Sequence, residues 1–497
     1  MSGLPRIHLR MILTKLRPQL QATGFLLAAA LWATGASAQE VRSVGRDAAL
    51  ELEFQEVAFD PPQVQKRTLD SDVPVFLLED HSLPLVTFHA RFRGGYGILP
   101  RTYYAAASAL SGLLRAGGTT VLPPDSVDHL VDYYALQMTF GGGGGSTFSS
   151  MNTLTKHLEP AIGLWADILR HPRFDSLEIE IWRDRQTESV SRRDDDPGLL
   201  AVSEFNQIMF GDHPIGWEMT PEDLSPDRLN ARTVFEAHSR VFCPENLILG
   251  VVGDVTWSEV KPLLDRMVAD WPPCSEPLLE PRVPDLMVGP KVFLIPKDLT
   301  QSTVVIAGPG GVTQGTSREY FASRIGNTIL GTGGFGSRLV SRVRTDMGYA
   351  YSASSFWTTP SRSQGIVGAT TQTKSESTIE VIRLMKEIIQ EMATDPPTQK
   401  EVDQVIDQIV NSFVFNFQDS SQIISRQMFY LSQDLPEDWL ERYVEGIQGV
   451  DATEVQQVFQ RHVRPDEMVI LIVGNPEDFD LPPEVLGEVE IWEAGGS

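Results

Sequence analysis

Histidines, carboxylates, cysteines and glycine runs are the residues here that could carry chemistry, and their spacing limits which chemistry. A hydrolytic metal centre needs three protein ligands and a carboxylate near its water. On a helix, two histidines four apart with a glutamate between them supply most of that set, as H-x-x-E-H or H-E-x-x-H. The nine histidines are His8, His81, His89, His129, His157, His171, His213, His238 and His462, and no two are four apart, so neither pattern occurs. Asp194-Asp195-Asp196 lacks the spacing of a calcium loop and runs into Pro197, which reads as a solvated helix terminus. Two cysteines, Cys243 and Cys274, are too few for a disulfide framework or a cysteine-rich zinc site, and spacing alone leaves their pairing open. The glycine run 141–145 has no Lys-Ser/Thr after it, so it is no phosphate loop; it reads as a turn or a strand edge where backbones approach closely. Gly331-Thr-Gly-Gly-Phe-Gly-Ser337 reads as the tightly packed start of a helix, with Arg338-Leu-Val-Ser-Arg342 as an amphipathic helix face.

The elements that must position such groups belong to an ordinary globular chain. Its 497 residues are 41% hydrophobic and 22% charged, which excludes a disordered, collagen-like or disulfide-stapled small protein. A net charge of -25 argues against nucleic acid or an anionic membrane surface as partner. Residues 1–38 read as a cleavable export signal. Arg6, Arg10, Lys15 and Arg17 form a basic region, Phe25–Trp32 a short apolar core, and Ala36-Ser37-Ala38 a cleavage site. No later run approaches the length of a membrane span. The expected product is therefore a periplasmic protein with no membrane attachment after cleavage.

An internal repeat organises the remainder. Pro244-Glu-Asn-Leu-Ile-Leu-Gly-Val-Val-Gly253 returns as Pro465-Asp-Glu-Met-Val-Ile-Leu-Ile-Val-Gly474, and the segment 103–118 is echoed by 319–334, in the same order. The halves run over 50–273 and 291–485, joined by a proline-rich linker at 274–290. Each half opens with alternating strands, Leu85–Phe92 or Ser302–Ala307, and closes with a β-branched one, Leu247–Val252 or Met468–Val473. Between them lie long helices. Val381, Leu384, Met385, Ile388, Ile389 and Met392 make one apolar stripe, and Thr398 with Glu401 is a capping box opening the next helix. Strands beside segregated helices predict an α+β fold built by tandem duplication.

Gly333-Gly-Phe-Gly-Ser-Arg-Leu-Val-Ser-Arg-Val-Arg-Thr-Asp-Met-Gly-Tyr-Ala-Tyr-Ser352 resembles the C-terminal-half signature of the pitrilysin/insulinase family of zinc peptidases. Arg192–Pro197, Phe210–Pro214 and Pro244–Asp254 look like that family's N-terminal half, so the resemblance covers about 50–485. It implies paired insulinase-like α/β-sandwich domains and an H-x-x-E-H helix. Here the matching helix reads Ser108-Ala-Leu-Ser111-Gly112, a degenerate motif, and Glu188 stands where the family's third zinc ligand would be. Alone, that glutamate reads as a helical residue facing solvent or an arginine.

The C-terminal half keeps a different feature. Arg344 and Tyr351 match the family's arginine and tyrosine, which reach toward the zinc-bound substrate. A phenol and a guanidinium aimed at an oxygen that gains charge stabilise the transition state more than the ground state. The resemblance thus implies a division of labour. This chain would hold no cofactor, and a homologous H-x-x-E-H partner would bring the zinc. Peptides or unfolded segments would be the substrates. A catalytically inert structural or peptide-binding member of the family is the alternative.

Overall fold

The computed structural model describes residues 63–494, except 278 and 418, so the export signal expected at 1–38 lies outside the described residues. Strands β1 (Gln65–Thr68), β2 (Pro74–Glu79), β3 (Leu85–Arg93), β4 (Gln137–Gly142), β5 (Ser146–Leu154) and β6 (Leu247–Gly253) form one sheet in the order β1-β2-β6-β3-β5-β4. Strands β7 (Val292–Pro296), β8 (Gln301–Pro309), β9 (Ala350–Trp357), β10 (Ile366–Lys374), β11 (Val469–Gly474) and β12 (Val489–Ile491) form a second, in the order β12-β7-β11-β8-β10-β9. Five strands of each, β2-β6-β3-β5-β4 and β7-β11-β8-β10-β9, follow one plan. β2 pairs in parallel with β6 as β7 does with β11, and the rest of that set is antiparallel. The outermost strands differ: β1 runs antiparallel to β2, whereas β12 runs parallel to β7. The predicted strands are present, and Val86, Phe88, Ala90 and Phe92 alternate into the core along β3, as period-two patterning requires. The fold is α+β, as the sequence predicted.

One face of each sheet is covered by helices of its own half. In the first half these are α1 (Tyr104–Ala116), α2 (Pro124–Tyr133), α3 (Leu158–Arg170) and α4 (Ser176–Ser191), followed after α5 (Pro197–Phe210) by α6 (Ala231–Val241) and α7 (Trp257–Val268). In the second they are α8 (Arg318–Asn327), α9 (Thr378–Thr394) and α10 (Gln399–Val414), followed after α11 (Ser420–Ser432) by α12 (Trp439–Gln448) and α13 (Ala452–His462). The stripe on α9 is buried at Val381, Met385, Ile388, Ile389 and Met392, and the capping box of Thr398 and Glu401 opens α10.

The other faces are closed by exchange. Helix α5, from the first half, lays Leu200, Ala201, Phe205, Ile208 and Met209 in a core shared with Phe293, Val305, Val469 and Leu471 of the second sheet. Helix α11, from the second half, brings Ile424 and Met428 to Phe76, Leu78, Ile248 and Val252 of the first. Each half therefore completes the other's core, at roughly 1.5–3 kcal/mol for each large side chain removed from water.

Two histidines tie these packed layers to pH. His238 is buried, donates its Nε2–H to the Leu169 carbonyl at 2.8 Å and stacks on Phe242; burial pushes its pKa down to about 4. His89, on β3, shares the space above Gly250 with Ile424 and Met428 of α11. Burial also takes His89 to about 4, against a smaller upward pull from Asp419 and with a downward one from Arg91. Both folded values lie below the ordinary 6.5, so the unfolded chain binds more protons between pH 6.5 and 4. Stability is full above that window and falls as pH drops through it, by about 2 kcal/mol per histidine at pH 5. Denaturant midpoints measured from pH 7 to pH 5 check this; a flat profile would contradict it.

Candidate active site

Arg344 and Tyr351 are brought together by an irregular segment that leads into an edge strand. The chain leaves α8 through a π-helical turn, Thr328–Thr332, and Gly331 lets its backbone meet β9: a Cβ there would lie 2.3 Å from the Ser355 nitrogen. Residues 340–346 are π-helical, not the regular amphipathic helix expected for Arg338–Arg342. The Met347 N–H bonds to the Arg342 carbonyl, the wide five-residue spacing, and Gly348 then takes φ 65° to turn the chain into β9.

Three arginines of this segment have different fates. Arg338 reaches the Glu401 carboxylate at 3.4 Å and the Asp395 carbonyl at 3.2 Å, and Arg342 pairs with Glu387 at 2.9 Å and Glu391 at 2.5 Å. Arg344 has no ion-pair or hydrogen-bond partner among the described residues. Its guanidinium carbon lies 4.7 Å from the centre of the Tyr351 ring and 4.9 Å from that of Phe335. Tyr351 is 81% exposed and Phe335 72% exposed, and the Tyr351 hydroxyl has no partner among the described residues. Two tethered arginines fix the segment, while the third is presented with a phenol at the open edge of a sheet. Cation–π contact holds the guanidinium in place yet leaves its N–H donors free. The pair can donate to an anionic oxygen. It contains no base, nucleophile or metal ligand of its own.

The degenerate motif offers no metal ligand. Ser108, Ser111 and Gly112 lie on α1, against the α4 helix that carries Glu188. A Cβ added to Gly112 would make ordinary contact with the Trp182 ring of α4, at 3.5 Å, so an indole borders the position of the motif's second histidine. Glu188 is exposed and bonds Arg192 one turn on, at 2.9 Å, which is the solvent-facing helical pairing its spacing suggested. Two hydroxyls, a glycine and an indole do not fit a zinc ion. Restoring the motif with Ser108→His, Ser111→Glu and Gly112→His should leave the purified chain without stoichiometric zinc, because Glu188 is engaged by Arg192 and the Trp182 indole borders the site. Elemental analysis showing one zinc per chain would contradict that.

Among the described residues, the grouping close enough to hold a metal is Cys243, Glu245 and Cys274. The two cysteines form a disulfide there, which leaves no thiolate to ligate. The aspartate run also behaves as read from the sequence: Asp196 caps α5 by accepting from the Gly198 and Leu199 amides. Gly143–Gly145 turn the β4–β5 hairpin, where the Gly94 and Gly97 amides bond to the Gly145 and Gly144 carbonyls. Phe335 and Trp182 did not emerge as site residues from the sequence. A phenylalanine within the glycine run Gly333–Gly336 was the one available signal for the first.

A family model described as the peptidase M16 inactive domain matches residues 228–409, a span that includes both Arg344 and Tyr351. That stretch is similar to a peptidase M16 inactive domain. Relatives agree with this M16 assignment and with the pitrilysin/insulinase resemblance. The chain is 22% identical over 406 residues to the "Non-peptidase homolog YmxG" of Helicobacter pylori, across 81% of this chain and 92% of that protein. It is 27% identical over 281 residues to an "Uncharacterized zinc protease" of Mycobacterium tuberculosis, covering 55% of this chain and 62% of that protein. The M16 fold is shared with a peptidase M16 inactive domain from Pseudomonas fluorescens, at a TM-score of 0.73 and 22% identity over 83% of this chain and 98% of that one. The periplasmic protease PqqL from Escherichia coli superposes with a TM-score of 0.73 at 14% identity, over 86% of this chain and 46% of that one. Neither zinc spacing occurs in the sequence, and the family model that matches residues 228–409 is itself described as an inactive domain.

Proposed function

We propose that this chain is the zinc-less subunit of a heteromeric M16 peptidase. It supplies Arg344 and Tyr351 to a peptide-hydrolysing site whose metal is held by a homologous H-x-x-E-H partner. The observation that carries this reading is the unpaired Arg344 guanidinium on exposed Tyr351, beside two arginines that are both tethered to acids. A structural arginine would be expected to find an acid in a chain with 66 of them.

The partner's zinc supplies the activated water. This chain's part is to place a phenolic O–H and guanidinium N–H groups where charge grows on the peptide oxygen. Such donors, fixed before the reaction, need no reorganisation as charge develops. β9 is the last strand of its sheet among the described residues, so an extended peptide can lie beside Tyr351 as an added strand. Two features support export to the periplasm: the signal-like segment at 1–38 and a disulfide, which persists in oxidising compartments. No helix among the described residues is long and apolar enough to cross a membrane.

The inert reading retains one observation in its favour, the Trp182 indole beside Gly112 where the motif's second histidine would stand. Size-exclusion chromatography of this chain with the H-x-x-E-H homologue from the same genome tests the proposal. A complex containing zinc only on the homologue is expected. Two separate peaks with every such homologue would leave the inert reading.

A further inference from the structure

A pocket lies beside Glu188, the third-ligand position of the lost metal motif. It has a volume of about 570 Å³ and is lined by the last turns of α4, the start of α5 and residues 218–219. Its charges largely pair off. Glu188 is bonded to Arg192, and Glu218 to Arg193 at 2.5 Å. Asp196 is engaged by the N-terminus of α5. Arg185 remains: it lines the pocket, is exposed, and has no acidic partner among the described residues.

Two atoms in the same wall lack partners. The Arg193 Nε–H and the Glu218 Oε1 are both buried without a hydrogen bond. An orphan donor and an orphan acceptor at one place suit a ligand that carries both functions, as a peptide does. Leu199, 68% exposed, and partly buried Met219 add apolar surface beside them.

The pocket also faces the Arg344–Tyr351 strand. Gly198 lies between the pocket residues Asp196 and Leu199, and a Cβ on it would sit 3.3 Å from the Gln372 side-chain nitrogen. Gln372 pairs across β10 and β9 with Ser352, the residue after Tyr351. The start of α5, and the pocket with it, thus lies over the β10–β9 end of the second sheet.

We propose that this pocket is a subsite for an acidic side chain of the bound peptide, with Arg185 as the residue that sets the preference. The carboxylate accepts from the Arg185 guanidinium and the Arg193 Nε–H, the side-chain methylenes pack on Leu199 and Met219, and a peptide N–H reaches Glu218 Oε1. The chain's net negative charge does not oppose this at contact range, because exposed charges farther off than a Debye length are screened. The inference rests on the reading of this chain as a peptide-handling subunit.

The test uses the purified chain without any partner. Labelled octapeptides of glycine, serine and alanine are compared by fluorescence anisotropy, carrying either two glutamates or two glutamines at the same places, each with a free or an amidated C-terminus. The glutamate peptide is expected to bind roughly tenfold tighter than its glutamine twin. Arg185→Ala should abolish the difference and Arg185→Lys should keep part of it. Arg266→Ala, at an arginine paired with distant Glu159, should leave it intact. A preference confined to free C-termini would support the same carboxylate chemistry with the terminal group as ligand. Equal binding of all peptides, or a preference that survives Arg185→Ala, would overturn the subsite. Because no partner is present, failure of hydrolysis in a mixture leaves this result standing, and the reverse also holds.

Discussion

In a complex with its zinc-bearing partner, Tyr351→Phe is expected to lower kcat roughly 10²–10³-fold, with KM little changed. Two donors stand together at the edge of β9, the Tyr351 phenol and the Arg344 guanidinium. Removing one hydroxyl leaves the ring, and so the cation–π contact with Arg344 at 4.7 Å, intact. What is lost is one hydrogen bond to an oxygen that is neutral in the ground state and anionic in the transition state. Such a loss appears in kcat and kcat/KM together, at about 3–4 kcal/mol. Arg344→Ala should cost at least as much, since it also unstacks Phe335 and Tyr351. Neither change should alter the thermal stability of the chain, because Tyr351 and Phe335 are exposed and Arg344 anchors nothing. Steady-state kinetics of the reconstituted complex with a quenched-fluorescence peptide checks this. Full activity of the Tyr351→Phe complex would return the chain to the inert, structural reading.

The second large effect concerns the disulfide. Cys243, at the end of α6, is bonded to Cys274 at the start of the linker, 31 residues on. Closing a loop of that length limits the unfolded chain by about 3–4 kcal/mol on the loop-entropy estimate. Apart from it, the Pro-rich segment that follows Trp271 is held near the cysteines by the Ser275 N–H to the Ser239 carbonyl, 3.1 Å, and by Arg240 to Glu276, 2.8 Å. Cys274→Ser, or a phosphine reductant, should therefore lower the calorimetric transition of the first half by roughly 5–10 °C. An unchanged transition would show that packing alone fixes the linker.

Much of the framework was legible from local patterns. The alternation in Leu85–Phe92, the stripe from Val381 to Met392 and the capping box at Thr398 each encode an element through near neighbours, which a single sequence displays. The exchange of α5 and α11 was not legible. Leu200, Phe205 and Met209 show that α5 has an apolar face, but nothing in their spacing says that the face closes the other half's sheet. The π-helical turn at 340–346 was missed for a related reason: within one or two turns, its wider period cannot be told from that of an α-helix. At the candidate site, the absence of zinc ligands followed from counting histidines. The Trp182 ring that packs beside Gly112 did not, because it arrives from another helix seventy residues away in the chain. Arg344 and Tyr351 were found through family resemblance; that Arg344 is unpaired, the fact that gives the pair its meaning, needed three dimensions.

The central claim is that this chain and a homologue make one active site between them. Its most direct measurement is the rate of peptide hydrolysis by the H-x-x-E-H homologue alone, by this chain alone, and by the two mixed at equal concentration. Negligible turnover by either protein and turnover at least a hundredfold higher in the mixture, saturating at a fixed ratio, is the predicted result. A homologue equally active without this chain, although the two are shown to associate, would contradict it.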